Sequence, residues 1–87
     1  MAKILLIEDD ASVRATLAAA IESKGHTAVV AANGREGLEK YRAGPFDLVV
    51  TDIIMPEKEG IETIKELRLV NPDVKIVAIS GGGRTGN

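Results

Sequence analysis

The chain has 87 residues, 45% of them hydrophobic but only 2% aromatic, with eleven basic and thirteen acidic residues for a net charge of −2. That length fits one domain with an aliphatic core, and the composition excludes a disordered chain. The charge balance leaves no electrostatic footprint for nucleic acid, and the lack of cysteine excludes a disulfide framework or a thiolate metal site.

The first residues, Met1-Ala2-Lys3, lead straight into an apolar run with no room for a signal peptide, and no stretch reaches membrane-spanning length. A cytoplasmic protein is the expectation. Lys3 to Ile7 reads as a short buried strand, followed by the acids Glu8-Asp9-Asp10. From Ala11 to Lys24, Val13, Leu17, Ala20 and Ile21 recur at helical spacing. Asp10 is placed to cap that helix, and Gly25 to stop it. His26 to Ala32 predicts a second strand, ended by Asn33-Gly34; His26 is read as an ordinary strand-start residue. Arg35 to Ala43 predicts a short helix with Leu38 and Tyr41 facing inward, broken by Gly44-Pro45.

In the stretch from Asp47 to Pro56, Leu48, Val49 and Val50 form an unbroken apolar run that predicts a third, buried strand with the carboxylate of Asp52 at its C-terminal end, and the chain turns at Pro56. A polar loop, Glu57 to Gly60, precedes a helix from Ile61 to Val70 with Ile61, Ile64, Leu67 and one of Leu69 or Val70 on one face. Asn71-Pro72 ends it. Val74 to Ile79 predicts a fourth strand that runs into Ser80, and the last residues, Gly81-Gly82-Gly83 onward, read as a loop rather than a Walker-type phosphate cradle.

Regular β-α-β-α-β-α-β alternation with short connections predicts a parallel sheet with right-handed crossovers. All strand C-termini then lie on one edge, which gathers Glu8, Asp9, Asp52 and Ser80, with Asn33 further out. Carboxylates brought together from two strand ends repel one another unless a cation or protons offset the charge. With no His or Cys in the cluster, a hard divalent ion such as Mg²⁺ suits these oxygens, together with a phosphoryl group. Asp52 is then a candidate nucleophile, because carboxylates form aspartyl-phosphate intermediates. A phosphohydrolase is the weaker reading: it would want a second acid two residues on as proton donor, where Ile54 stands.

The combination of Glu8-Asp9, Asp52 with Met55-Pro56, Gly60 and Ser80, in order and across the whole chain, resembles the receiver domain of two-component response regulators. The resemblance implies a flavodoxin-like fold with strand order 2-1-3-4 over residues 1–87. It implies that Asp52 accepts a phosphoryl group from the phosphohistidine of a sensor histidine kinase. Asp9 and Asp52 would bind Mg²⁺ directly, Glu8 through water, and the Ile54 backbone carbonyl would be a further ligand. Ser80 would hydrogen-bond the phosphoryl group.

The family's fold has a fifth strand flanked by two more helices, and the sequence stops before them, a shortfall of roughly 30 or more residues judged by the size of a βαβ unit. The lysine that follows strand five in the family has no counterpart, since Lys75 falls inside strand four. An uncovered fourth strand is expected to favour a homo-oligomer, and loss of that lysine to impair phosphorylation. A self-associating module with little phosphotransfer is the alternative function. Neither a nucleic acid nor a membrane is expected as a partner.

Overall fold

The computed structural model describes residues 1–53 and 59–79. The elements are β1 (Lys3–Ile7), α1 (Ala11–Ser23), β2 (Thr27–Ala31), α2 (Gly34–Ala43), β3 (Leu48–Asp52), α3 (Glu59–Val70) and β4 (Ile76–Ile79). All strand pairs are parallel, in the order β2-β1-β3-β4. This is the flavodoxin-like order expected, and β4 is the last described element. The chain winds from β1 out to β2, then crosses back over β1 to β3 and on to β4. Right-handed crossovers put α1 on one face and α2 and α3 on the other, and α2 packs against α3.

The packed core lies on the α2 and α3 face. Leu5 and Ile7 of β1, Ala31 of β2 and Val49 of β3 meet Leu38, Tyr41 and Leu67 from the helices, with Val74 from the turn before β4. Tyr41 is held at the far end of this core: its ring stacks on Phe46 with centroids 6.1 Å apart, and its hydroxyl accepts from Asn71 Nδ2 at 2.9 Å. Lys3 Nζ sits 4.9 Å above the Phe46 ring. On the other face α1 buries no residue fully; Val13, Leu17 and Ile21 are half-buried and Ala20 is exposed, against expectation.

Local chemistry sets the boundaries. Asp10 caps α1 by accepting the Val13 N–H at 3.0 Å. The helix ends one residue earlier than expected, with Gly25 at φ 90°. There the His26 N–H reaches the Ile21 carbonyl and the Gly25 N–H the Glu22 carbonyl, a left-handed cap that glycine adopts without strain. His26 lies outside β2, and its Nδ1 accepts the Ala2 N–H at 2.9 Å, a structural bond. Asn33 caps α2 through the Glu36 N–H at 2.8 Å, so that helix begins at Gly34.

Three expectations are corrected. Helix α3 begins at Glu59, so Glu59 and Gly60 are helical rather than loop. Its buried stripe is Gly60, Thr63 and Leu67, whereas Ile61 is 46% exposed, Ile64 is half-buried, and Leu69 and Val70 are both exposed. β4 begins at Ile76, so Lys75 lies before the strand, with its carbonyl accepting from the Val49 N–H at 2.9 Å. Val74 is buried from a turn after Pro72, not from the strand.

The two edge strands differ. Thr27 and Ala31 of β2 bond toward β1, so Val30 and Ala32 face outward. Side chains of α2 take up both groups: Lys40 Nζ donates to the Val30 carbonyl at 2.6 Å, and the Ala32 N–H donates to Glu36 Oε1 at 2.6 Å. β4 is paired on one side only among the described residues, and its Val77 is 46% exposed. No described helix is long and apolar enough to cross a membrane.

Candidate functional site

The winding direction reverses between β1 and β3, and in open α/β sheets the crevice outside the strand C-termini at such a point is where ligands bind. Glu8 follows β1, and Asp52 is the last residue of β3. Because Ile7 is in register with Thr51, Glu8 and Asp52 come to the same level on adjacent strands. Glu8 is 1% exposed and Asp52 3%, while Asp9 is open to solvent. One carboxylate oxygen from each of Glu8, Asp9 and Asp52 lies within 4.8 Å of the others.

The Glu8 carboxylate is divided. Its Oε2 accepts the Asp10 N–H at 3.0 Å, whereas Oε1 is buried with no hydrogen-bond partner. Burial pushes the Glu8 carboxyl above the usual carboxylate range; the Asp10 N–H pulls it down, and the charge of Asp52 pushes it up again. An unmatched buried oxygen among carboxylates fits a hard divalent cation with oxygen ligands and retained waters. Glu8, Asp9 and Asp52 are the described residues that could hold such an ion.

Gly60 sets the approach of α3. A Cβ there would stand 2.6 Å from both the Asp52 carbonyl oxygen and the Ile53 Cα, so only glycine lets the first turn of the helix press on the end of β3. Ile54, Met55, Pro56 and Ser80, expected to belong to the site, and the Gly81-Gly82-Gly83 loop lie outside the described residues. Arg14 is a residue near the site that the sequence reading missed: its Nη1 donates to the Glu8 carbonyl at 2.8 Å. The only signal was a basic residue one helical turn beyond the Asp10 cap.

The family model for the response regulator receiver domain matches residues 4–86. The chain belongs to this family. The response regulator receiver protein CpdR of Brucella abortus (strain 2308) is 41% identical over 81 residues, which cover 93% of this receiver and 68% of CpdR. The sensor kinase CckA of the same organism is 42% identical over 82 residues, 92% of this receiver but 9% of the kinase, so the receiver spans a small part of that relative's length. Among solved structures, the response regulator protein TrrA from Thermotoga maritima in complex with Mg²⁺-BeF has a TM-score of 0.84 at 34% identity, covering 95% of this chain and 75% of that one. TrrA in complex with the histidine kinase ThkA has a TM-score of 0.86 at 32% identity, covering 100% and 75%.

Proposed function

We propose that residues 1–87 act as one phosphoacceptor unit of two-component signalling, in which Asp52 takes a phosphoryl group from the phosphohistidine of a sensor histidine kinase. The observation that carries this reading is the convergence of Glu8, Asp9 and Asp52 within 4.8 Å at the crevice, beside a buried carboxylate oxygen with no donor. Asp9 and Asp52 would hold Mg²⁺ directly and Glu8 through water, with the Ile54 carbonyl as a further ligand; the Ser80 hydroxyl would hydrogen-bond the phosphoryl group, both of these on the strength of the sequence pattern. When bound, Mg²⁺ neutralises charge on the transferring phosphoryl oxygens. A carboxylate oxygen of Asp52 forms the new bond to phosphorus, the N–P bond of the phosphohistidine breaks, and the imidazole leaves with the electron pair. The carboxylate gives up no proton, so no general base is required. Each chain is charged once per event and does not turn over a free substrate.

The likeness to TrrA, solved with Mg²⁺-BeF and with a histidine kinase, supports both the ion and the partner. The reading puts the chain in the cytoplasm. Incubation with a small phosphodonor and Mg²⁺, followed by intact-mass measurement, tests it. The expected result is a gain of one phosphoryl group, absent without Mg²⁺ and absent in Asp52→Ala. No gain on a folded sample, or a gain that persists in Asp52→Ala, overturns it. Steady release of phosphate from unrelated monoesters would make the chain a phosphohydrolase instead.

A second reading concerns assembly. The outer edge of β4 is unpaired among the described residues and carries the exposed Val77, a combination that favours pairing with a second copy. Sedimentation in dilute solution should then give a dimer or larger species; a stable folded monomer sinks this reading.

A further inference from the structure

We infer that Arg14 is a positioning residue for the metal site, fixing the turn that presents Asp9. This rests on the proposed role of Glu8, Asp9 and Asp52 as Mg²⁺ ligands. Glu8 lies one residue beyond the last β1–β2 ladder pair, Ile7 with Ala31, so its carbonyl has left the ladder. Arg14 supplies the missing donor: Nη1 reaches that carbonyl at 2.8 Å in a part-buried bond. The backbone N–H of the same residue donates to the Asp10 carbonyl at 2.8 Å. The guanidinium therefore ties the chain before Asp9 to a helix whose ordinary backbone bond already anchors the chain after it. The Asp10 N–H to Glu8 Oε2 and the Val13 N–H to Asp10 Oδ1, each at 3.0 Å, close the rest of the turn.

The choice of partner separates two roles. Three carboxylates stand nearby, yet among the described residues the Arg14 guanidinium forms no ion pair and bonds a neutral carbonyl instead. A guanidinium acting only through its charge would repel a divalent cation, so its removal would tighten Mg²⁺ binding. A guanidinium acting as a clamp would, on removal, let Asp9 wander and weaken binding. Outer-shell partners of metal ligands typically govern affinity by 10-fold or more. The two roles thus predict opposite signs.

The test is calorimetric titration of Mg²⁺ into the wild-type chain, Arg14→Ala, Arg14→Lys and Asp9→Asn, with thermal melts of each in the absence of metal. Arg14→Ala should bind Mg²⁺ roughly 10-fold more weakly, and Arg14→Lys, which keeps a donor and the charge, should recover part of the loss. Tighter or unchanged binding in Arg14→Ala overturns the inference. So does a loss in Arg14→Ala that Arg14→Lys leaves wholly unrepaired; should Arg14→Ala melt too low to titrate, Arg14→Lys is compared with the wild type directly, and tighter or unchanged binding there overturns the inference. Wild-type chain that binds no Mg²⁺, or Asp9→Asn that binds as tightly as wild type, overturns the reading of the site itself, a result that Arg14 variants alone cannot produce.

Discussion

Among the described residues, Glu8 is the one with a buried side-chain oxygen that has no hydrogen-bond partner. It is buried with one oxygen unmatched, so its carboxyl titrates above the ordinary value of 4.5. A carboxyl raised in the fold binds its proton more tightly there than in the unfolded chain. Its favourable contribution is therefore complete below the unfolded-state pKa and is lost as pH rises through the raised folded value, the reverse of a salt-bridged acid. In the metal-free protein, Glu8→Gln should be more stable than wild type at neutral pH by about 1 kcal/mol, because it removes an unmatched buried charge. The difference should vanish in acid. Saturating Mg²⁺ should reverse the order, since the ion stabilises more the chain that binds it more tightly. Thermal melts across pH, with and without Mg²⁺, check all three statements. At this scale the acids were legible because carboxylates at the ends of apolar strands stand out in a sequence. Arg14 was not, because a long side chain that returns to a backbone carbonyl leaves no pattern to read.

At the scale of elements, type and order were legible throughout, since each strand is a short apolar run closed by a cap, a glycine or a proline. The inward face of α3 was not. Ile61 has the greater apolar surface, yet the helix turns Gly60 toward the sheet, because the absence of a side chain lets its first turn close on the β3 backbone. Hydrophobic spacing cannot report a contact made by a missing Cβ. Gly60→Ala should cost roughly 1–3 kcal/mol, the usual penalty for overpacking against groups that cannot retreat. Here those groups are backbone atoms next to Asp52, so the same substitution should also weaken Mg²⁺ binding. Urea unfolding and a metal titration on one sample measure both. An alanine that leaves stability unchanged would mean that α3 docks less closely than described.

For the molecule as a whole, the two sheet edges set how copies meet. On β2 the outward carbonyl of Val30 and N–H of Ala32 are held by Lys40 and Glu36, so a second strand finds them engaged. Replacing both side chains with alanine should release these groups and increase association, visible as a rise in light scattering with concentration. Val77→Lys, which places a charge on the exposed β4 face, should act in the opposite direction. These edge bonds were invisible in the sequence, where Glu36 and Lys40 look like an ordinary pair one helical turn apart; their 4.0 Å ion pair is the lesser part of what they do.

The placement of Tyr41 decides what the protein can report about itself. With no tryptophan in the chain, this one tyrosine supplies its near-ultraviolet emission. It sits at the end of α2, against Phe46 and Asn71, at the opposite rim of the sheet from Asp52. Its fluorescence should track unfolding of the core yet stay silent when Mg²⁺ enters the crevice. A change in tyrosine emission on metal binding or phosphorylation would therefore be an optical record of the two ends of the sheet moving together.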